Sequence, residues 1–252
     1  MYMRFVHVTV KQTAMADLSR LYEEKVIPTL HAVPGCLYAS LIQGSHHPDE
    51  CISMTLWDSP RQVEAYERSG VFASLLAEAG KYLADTSEWK IHLSSDLELK
   101  YEPVPEEPVI DAYNVPPLKP EGILEHRASG GLYLRIVSPQ IRNGKVAEFK
   151  RIYSTEVLPE LREVKGCRYA AIIDHAQDPE KIISISIWDS KEDADHYEIS
   201  GAFAALTEKF KHTFSEIYQW KMQLEKETGK QVVTSDEISV EGYTVVTGKS
   251  FS

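Results

Sequence analysis

The run WDSPRQVEAYERSGVF at residues 57–72 returns 131 residues later as WDSKEDADHYEISGAF at 188–203. Working outward from this pair, a constant shift of 131 superimposes residues 3–93 on 134–224 without a gap, and 30 of the 91 positions are identical. The matches include Gly35-Cys36 on Gly166-Cys167 and Trp89-Lys90 on Trp220-Lys221. A period this long marks a duplicated domain, since solenoid repeats are far shorter. The duplication also supplies an internal comparison: a residue that a shared mechanism needs should stand in both copies.

Each copy reads as strand, helix, strand, strand, helix, strand. Arg4–Val10 and Arg135–Ile141 alternate as first strands. Leu18, Leu21, Val26 and Leu30, and their twins Phe149, Ile152, Val157 and Leu161, recur at helical steps. Pro28 and Pro159 should loosen the end of that helix, and Gly35 and Gly166 should stop it. Two strands follow, Cys36–Gln43 and Cys51–Trp57, joined by the polar turn GSHHPDE; in the second copy the turn is DHAQDPEK. Ser59 and Ser190 are candidate N-caps, with Gln62 and Asp193 three residues on. The glycine in YERSGVF and YEISGAF should divide the second helix. The last strand is expected at Glu88–Leu93 and Gln219–Leu224.

A βαββαβ order in ~90 residues is the ferredoxin-like unit, with both helices on one face of a four-stranded sheet. Ile52, Met54 and Leu56 fall on one face and Ser53, Thr55 and Trp57 on the other, so both faces need cover. The bare sheet of one copy is the simplest cover for the other. The expected fold class is therefore α+β: two tandem ferredoxin-like repeats forming, within one chain, the dimeric α+β barrel that two chains usually build. The expected division is repeat one at 1–96, a linker at 97–131, repeat two at 132–226 and a tail at 227–252. The linker region, read from 94 onward, holds six of the thirteen prolines and should be extended. In the tail, Glu237–Val246 alternates like a short strand that could pack on an edge of this barrel or of a neighbour's.

Composition narrows the partners. A formal net charge of −11 argues against nucleic acid and against an anionic membrane surface. No apolar run approaches the ~20 residues of a membrane helix, and MYMRFVHVTV reads as a strand where a signal peptide would stand. A cytoplasmic location is expected. Three cysteines without CxxC spacing suggest reduced structural thiols. A nucleophilic Cys36/Cys167 pair is the competing reading, disfavoured because the Gly-Cys step leads into an apolar strand.

The paired runs resemble the antibiotic biosynthesis monooxygenase family of dimeric α+β barrels. The resemblance rests on Gly35, Trp57-Asp58-Ser59, Tyr66, Ser69 and Phe72, and on Gly166, Trp188-Asp189-Ser190, Tyr197, Ser200 and Phe203. It implies a cofactor-free oxygenase of aromatic compounds, in which a deprotonated phenol reduces dioxygen directly. No cofactor is then expected, and the partner is a small aromatic molecule. The family often carries His where this chain has Tyr66 and Tyr197. Its haem-degrading branch needs an iron-ligating His where this chain has Leu76 and Thr207, neither a usual haem ligand.

Among the nine histidines no repeat position is shared: His7 meets Ser138, His31 meets Arg162 and His196 meets Ala65. His46 and His47 lie in a turn without a matching ligand pair, so no metal is expected. His7 is kept as a candidate base, in line with Met3 and Phe5 and able to reach a pocket in copy one. The shared set is aromatic and cationic. Tyr66 and Tyr197 are candidate catalytic residues with His7. Trp57, Trp188, Trp89, Trp220, Arg4, Arg135, Tyr22 and Tyr153 are candidate substrate contacts, weighed against ordinary aromatic core packing. The leading expectation is a monooxygenase-like enzyme acting on a small aromatic or quinonoid compound. The alternatives are a non-catalytic binding or stress protein and, third, haem binding. The barrel could be a monomer or dimerise through linker or tail.

Overall fold

The computed structural model describes residues 1–93, 99–105, 108–116, 131–214 and 239–251. The chain divides into two compact units, Met1–Asp111 with Val246–Ser252, and Ala112–Val245.

In the first unit, β1 (Tyr2–Thr9) pairs antiparallel with β3 (Glu50–Trp57), which pairs with β2 (Cys36–Gly44). Arg4 faces Thr55 and Val6 faces Ser53 across the first pair. The first helix runs as α1 (Met15–Leu21), a π-helical turn at Tyr22–Val26 and α2 (Ile27–His31). Pro28 explains the break. It has no N–H, and its ring crowds the carbonyl four residues back. The wider turn relieves the crowding, with the Ile27 N–H bonding to the Tyr22 carbonyl. The second helix is divided as expected at Gly70, φ +79°, into α3 (Pro60–Arg68) and α4 (Val71–Ala79).

The second unit repeats this order. Its strands are β7 (Tyr133–Ser138), β8 (Cys167–His175) and β9 (Ile182–Trp188). Its helices are α5 (Val146–Ile152), a π turn at Tyr153–Val157 before Pro159, α6 (Leu158–Arg162), α7 (Lys191–Ile199) and α8 (Ala202–Glu208). Both expected N-caps are in place. The Ser190 hydroxyl accepts from the Asp193 N–H, whereas Ser59 meets only the Gln62 side chain.

The fourth strand of each half differs from expectation. β4 (Asp85–Leu93) does not join the first sheet; it pairs with β5 (Leu99–Pro105) in a separate two-stranded sheet. Its expected twin at Gln219–Leu224 lies outside the described residues. The place beside β1 is taken by β6 (Val109–Asn114), from the proline-rich segment, and the place beside β7 by β10 (Ser239–Ser250), from the tail. The order β1-β3-β2-β10-β7-β9-β8-β6 then closes as an eight-stranded barrel, the α+β class anticipated. The swap satisfies strand edges that four-stranded sheets would leave open.

Gly35 and Gly166 occupy left-handed conformations, φ +82° and +83°, where the first helix turns into β2 or β8. A Cβ at Gly35 would fall 2.1 Å from Gln62 Cδ, the far end of a flexible chain; at Gly166 it would fall 2.5 Å from Asp193 Cβ, which the helix holds in place. Gly35→Ala is expected to cost about 1–2 kcal/mol from the backbone alone, and Gly166→Ala clearly more. Urea melts of the two variants check this; equal losses would contradict it.

The three cysteines are free thiols. Burial pushes Cys36 and Cys51 up to about 12 and Cys167 up to about 11, from an ordinary 9.0. The folded chain thus keeps protons that the unfolded chain releases. This stabilisation is whole below pH 9 and is lost as the pH climbs through 11 to 12. The urea midpoint should fall with pH above 9, and less steeply in Cys36→Ala; a flat profile would contradict the burial.

Candidate functional site

Between the helices and sheet of the first unit lies a cavity of about 70 Å³. One water needs only ~10–15 Å³ on such a measure. β1 contributes Arg4, Val6 and Val8 to its wall, β3 contributes Ser53 and Thr55, the helices contribute Leu18, Tyr22, Tyr66, Phe72 and Ala79, and Leu83 follows α4. The π turn begins at Tyr22, so the distortion that accommodates Pro28 starts at a cavity residue. π turns often mark functional positions.

The polar groups are few and fixed. Tyr22 donates to the Ser40 carbonyl at 3.0 Å or meets Ser53 Oγ at 2.9 Å. Trp57 is fully buried, donates Nε1–H to Thr55 Oγ1 at 2.8 Å and stacks on Tyr66 at 5.1 Å. It does not line the cavity; it holds the Tyr66 ring. Burial pushes the Tyr66 phenol up to about 12, with Arg4 pulling the other way. Tyr66 is therefore a neutral hydrogen-bond donor at ordinary pH and cannot serve as a base.

Arg4 is 3 % exposed. Its Nε bonds Glu67 Oε1 at 3.1 Å at the rim, and its guanidinium lies 4.1 Å over the Phe72 ring. Its buried Nη2 has no hydrogen-bond partner among the described residues. Desolvation lowers its pKa and Glu67 partly restores it. A buried donor left over in an apolar wall is costly unless something accepts from it.

The second unit reproduces the frame. Trp188 Nε1 donates to Ser186 Oγ at 2.9 Å and its ring lies 5.2 Å from Tyr197. Arg135 sits 4.3 Å over Phe203, with Nη2 3.7 Å from Glu198. Tyr153 meets Ser184 at 2.5 Å. The space is much reduced, however: about 20 Å³ remains. Phe149, Phe210 and Phe214 stand where the first half has Leu18, Ala79 and Leu83. Their rings interlock at centroid distances of 5.1 Å (Phe149–Phe210) and 5.4 Å (Phe210–Phe214).

Of the residues singled out from sequence, Arg4, Tyr22 and Tyr66 meet at the first cavity, and Arg135, Tyr153 and Tyr197 at the second. Trp57 and Trp188 stand behind the tyrosines. His7 stands apart from this cavity. Since Arg4, Val6 and Val8 line the cavity, strand alternation turns His7 to the opposite face, where Nε2 lies 3.5 Å from Asp111. Trp89 falls in the separate β4–β5 sheet, and Trp220 lies outside the described residues. Sequence reading missed Ser53 and Glu67, although both are identical in the two copies, as Ser184 and Glu198. Leu76 and Thr207 line the cavities where a haem ligand would be needed, and among the described residues no histidine lines either.

The family model for antibiotic biosynthesis monooxygenase matches residues 1–77 and 133–209, more than half of the chain and once in each unit. The chain belongs to the antibiotic biosynthesis monooxygenase family. Its tandem arrangement has solved counterparts. A candidate monooxygenase from Lactobacillus acidophilus NCFM aligns over 99% of this chain and 95% of its own, with TM-score 0.62 and 9% identity. One from Fusobacterium nucleatum covers 99% and 94%, with TM-score 0.66 and 7% identity. An anthrone oxidase-like protein covers 99% and 92%, with TM-score 0.58 and 13% identity. At these identities the likeness is one of fold. No curated protein matches the sequence. Among the described residues no helix is long and apolar enough to cross a membrane, and no cluster of three metal-ligating side chains occurs.

Proposed function

We propose that the cavity of the first half is a cofactor-independent monooxygenase site for a small phenolic or quinonoid compound. The observation that carries this reading is Arg4, a buried guanidinium with an unused Nη2 in the wall of an apolar cavity large enough for more than water. An anionic oxygen on an otherwise apolar ring is the complement of that wall. Membership of the family and the anthrone oxidase-like neighbour give the chemistry its direction.

Among the described residues no carboxylate or imidazole lines the cavity, so the phenol loses its proton to water and binds as phenolate, which Arg4 stabilises. The electron-rich ring then reduces dioxygen. One oxygen atom enters the ring as a carbonyl and the other leaves as water, the ring giving up two hydrogens. The dry apolar wall shields the reactive carbanion, and Tyr66 can donate to the developing peroxide oxygen. With no enzyme base, the rate should rise with pH through the substrate's own phenol pKa and stay high until Tyr66 titrates near 12. A bell centred near neutrality would contradict this.

A non-catalytic binder of the same compounds is the second reading, favoured by that same lack of a base. Oxygen-electrode measurements with phenols and hydroquinones separate the two. Uptake that requires protein and is reduced in Tyr66→Phe supports the oxygenase; saturable binding without uptake supports the binder.

A further inference from the structure

Three positions decide whether either half has a cavity. Around them the two halves agree closely: the tryptophan–tyrosine separations are 5.1 and 5.2 Å, the arginine-to-phenylalanine distances 4.1 and 4.3 Å, and Tyr66–Phe72 and Tyr197–Phe203 are both 6.0 Å. The polar equipment is preserved too, with Arg135, Tyr153, Ser184 and Tyr197 repeating Arg4, Tyr22, Ser53 and Tyr66. The largest changes in volume fall at these three positions, where phenyl rings replace an alanine and two leucines, Phe149 and Phe210 in the cavity wall and Phe214 packed behind them.

We infer that the second half carries a latent copy of the binding site, closed by its own phenylalanines, and that Leu18, Ala79 and Leu83 set the size limit of the open site. The chain therefore binds one small aromatic molecule, in its first half. The buried Arg135 bears on this. Its Nε makes no hydrogen bond among the described residues and its Nη2 reaches Glu198 only at 3.7 Å, beyond hydrogen-bond distance, an arrangement that burial penalises. Phe210 matters most, because it packs on Phe149, Phe214 and Tyr153 together and occupies the place of Ala79. The class of ligand rests on the phenolate reading above; the location and relative size of these two cavities do not.

Two probes and two reciprocal variants test this. Xenon, in pressurised crystals, reports apolar space whatever the natural ligand. 4-Fluorophenol, followed by fluorine NMR, reports binding of a small phenol. The parent protein should take xenon in the first half only and bind one equivalent of 4-fluorophenol. Phe210→Ala should take xenon in both halves and bind two equivalents. Ala79→Phe should take none in the first half and lose 4-fluorophenol binding. The variants report independently, so failure of one to fold leaves the other decisive. Xenon in the second half of the parent, or an unchanged pattern in a folded variant, would overturn the inference. The expected xenon pattern without 4-fluorophenol binding would support the inference and overturn the phenolate reading.

Discussion

Arg4→Met should lower kcat/KM for phenol oxidation by about 10²–10³, the range seen when a single preorganised donor is removed from a developing oxyanion. Arg135→Met should leave it within about twofold. The contrast matters because the two arginines share strand position, burial, an aromatic partner and a glutamate at the rim. The space beside them differs most, while the glutamate contact loosens from a 3.1 Å hydrogen bond at Arg4 to a 3.7 Å ion pair at Arg135. Neither variant should destabilise the fold strongly, since the glutamates left behind, Glu67 and Glu198, are exposed and stay hydrated when the buried guanidinium is replaced by an apolar side chain. Steady-state oxygen uptake, with thermal melts as control, checks the pair. Equal losses in both variants would show that the arginines serve folding alone.

The largest stability effect is expected at Phe149. It is 1 % exposed and its ring packs against Tyr153, Phe210 and Phe214. Phe149→Ala should cost about 3–5 kcal/mol, because the neighbouring rings are rigid and cannot collapse into the space. Leu18→Ala, at the equivalent position, already borders a cavity and should fall toward the lower end of the ~2–5 kcal/mol range for leucine. Chemical denaturation of the two variants compares them directly. A smaller loss for Phe149→Ala than for Leu18→Ala would mean that the phenylalanine cluster is not the tight plug described here.

The sequence carried the architecture of each half because the helical and strand periods are strong and written twice. Glycines at 35, 70, 166 and 201 placed the helix breaks, and each is observed with positive φ. The fourth strands were harder to read for a specific reason. The segment Ile110–Val115 (IDAYNV) matches Val240–Val245 (VEGYTV) only at a shift of 130, one residue off the shift that aligns the rest. A constant shift sets Tyr113 against Thr244 and hides the match. Allowing the slip aligns Asp111 with Glu241, Tyr113 with Tyr243 and Val115 with Val245, and both tyrosines are buried. Proline content around β6 also argued for extended chain without sheet pairing.

The site was half legible. Identity between the copies picked out Arg4, Tyr22, Tyr66 and Trp57 because the frame is shared. It could not say which half has room, since that depends on Leu18, Ala79 and Leu83, where the copies differ. Those differences were visible as volume changes, but their convergence on one cavity is a matter of three-dimensional packing. That His7 stands apart from this cavity has a simpler reason. Aligning it with Met3 and Phe5 was correct, but that set faces away from the helices, and Arg4 belongs to the set that faces them.

The most direct test is a crystal structure of the protein grown with phenol under anaerobic conditions. The ring should lie in the first half, its oxygen within hydrogen-bonding distance of Arg4 Nη2, with the second half empty. A ring bound in the second half beside Arg135, or one in the first half with its oxygen turned away from Arg4, would contradict the account.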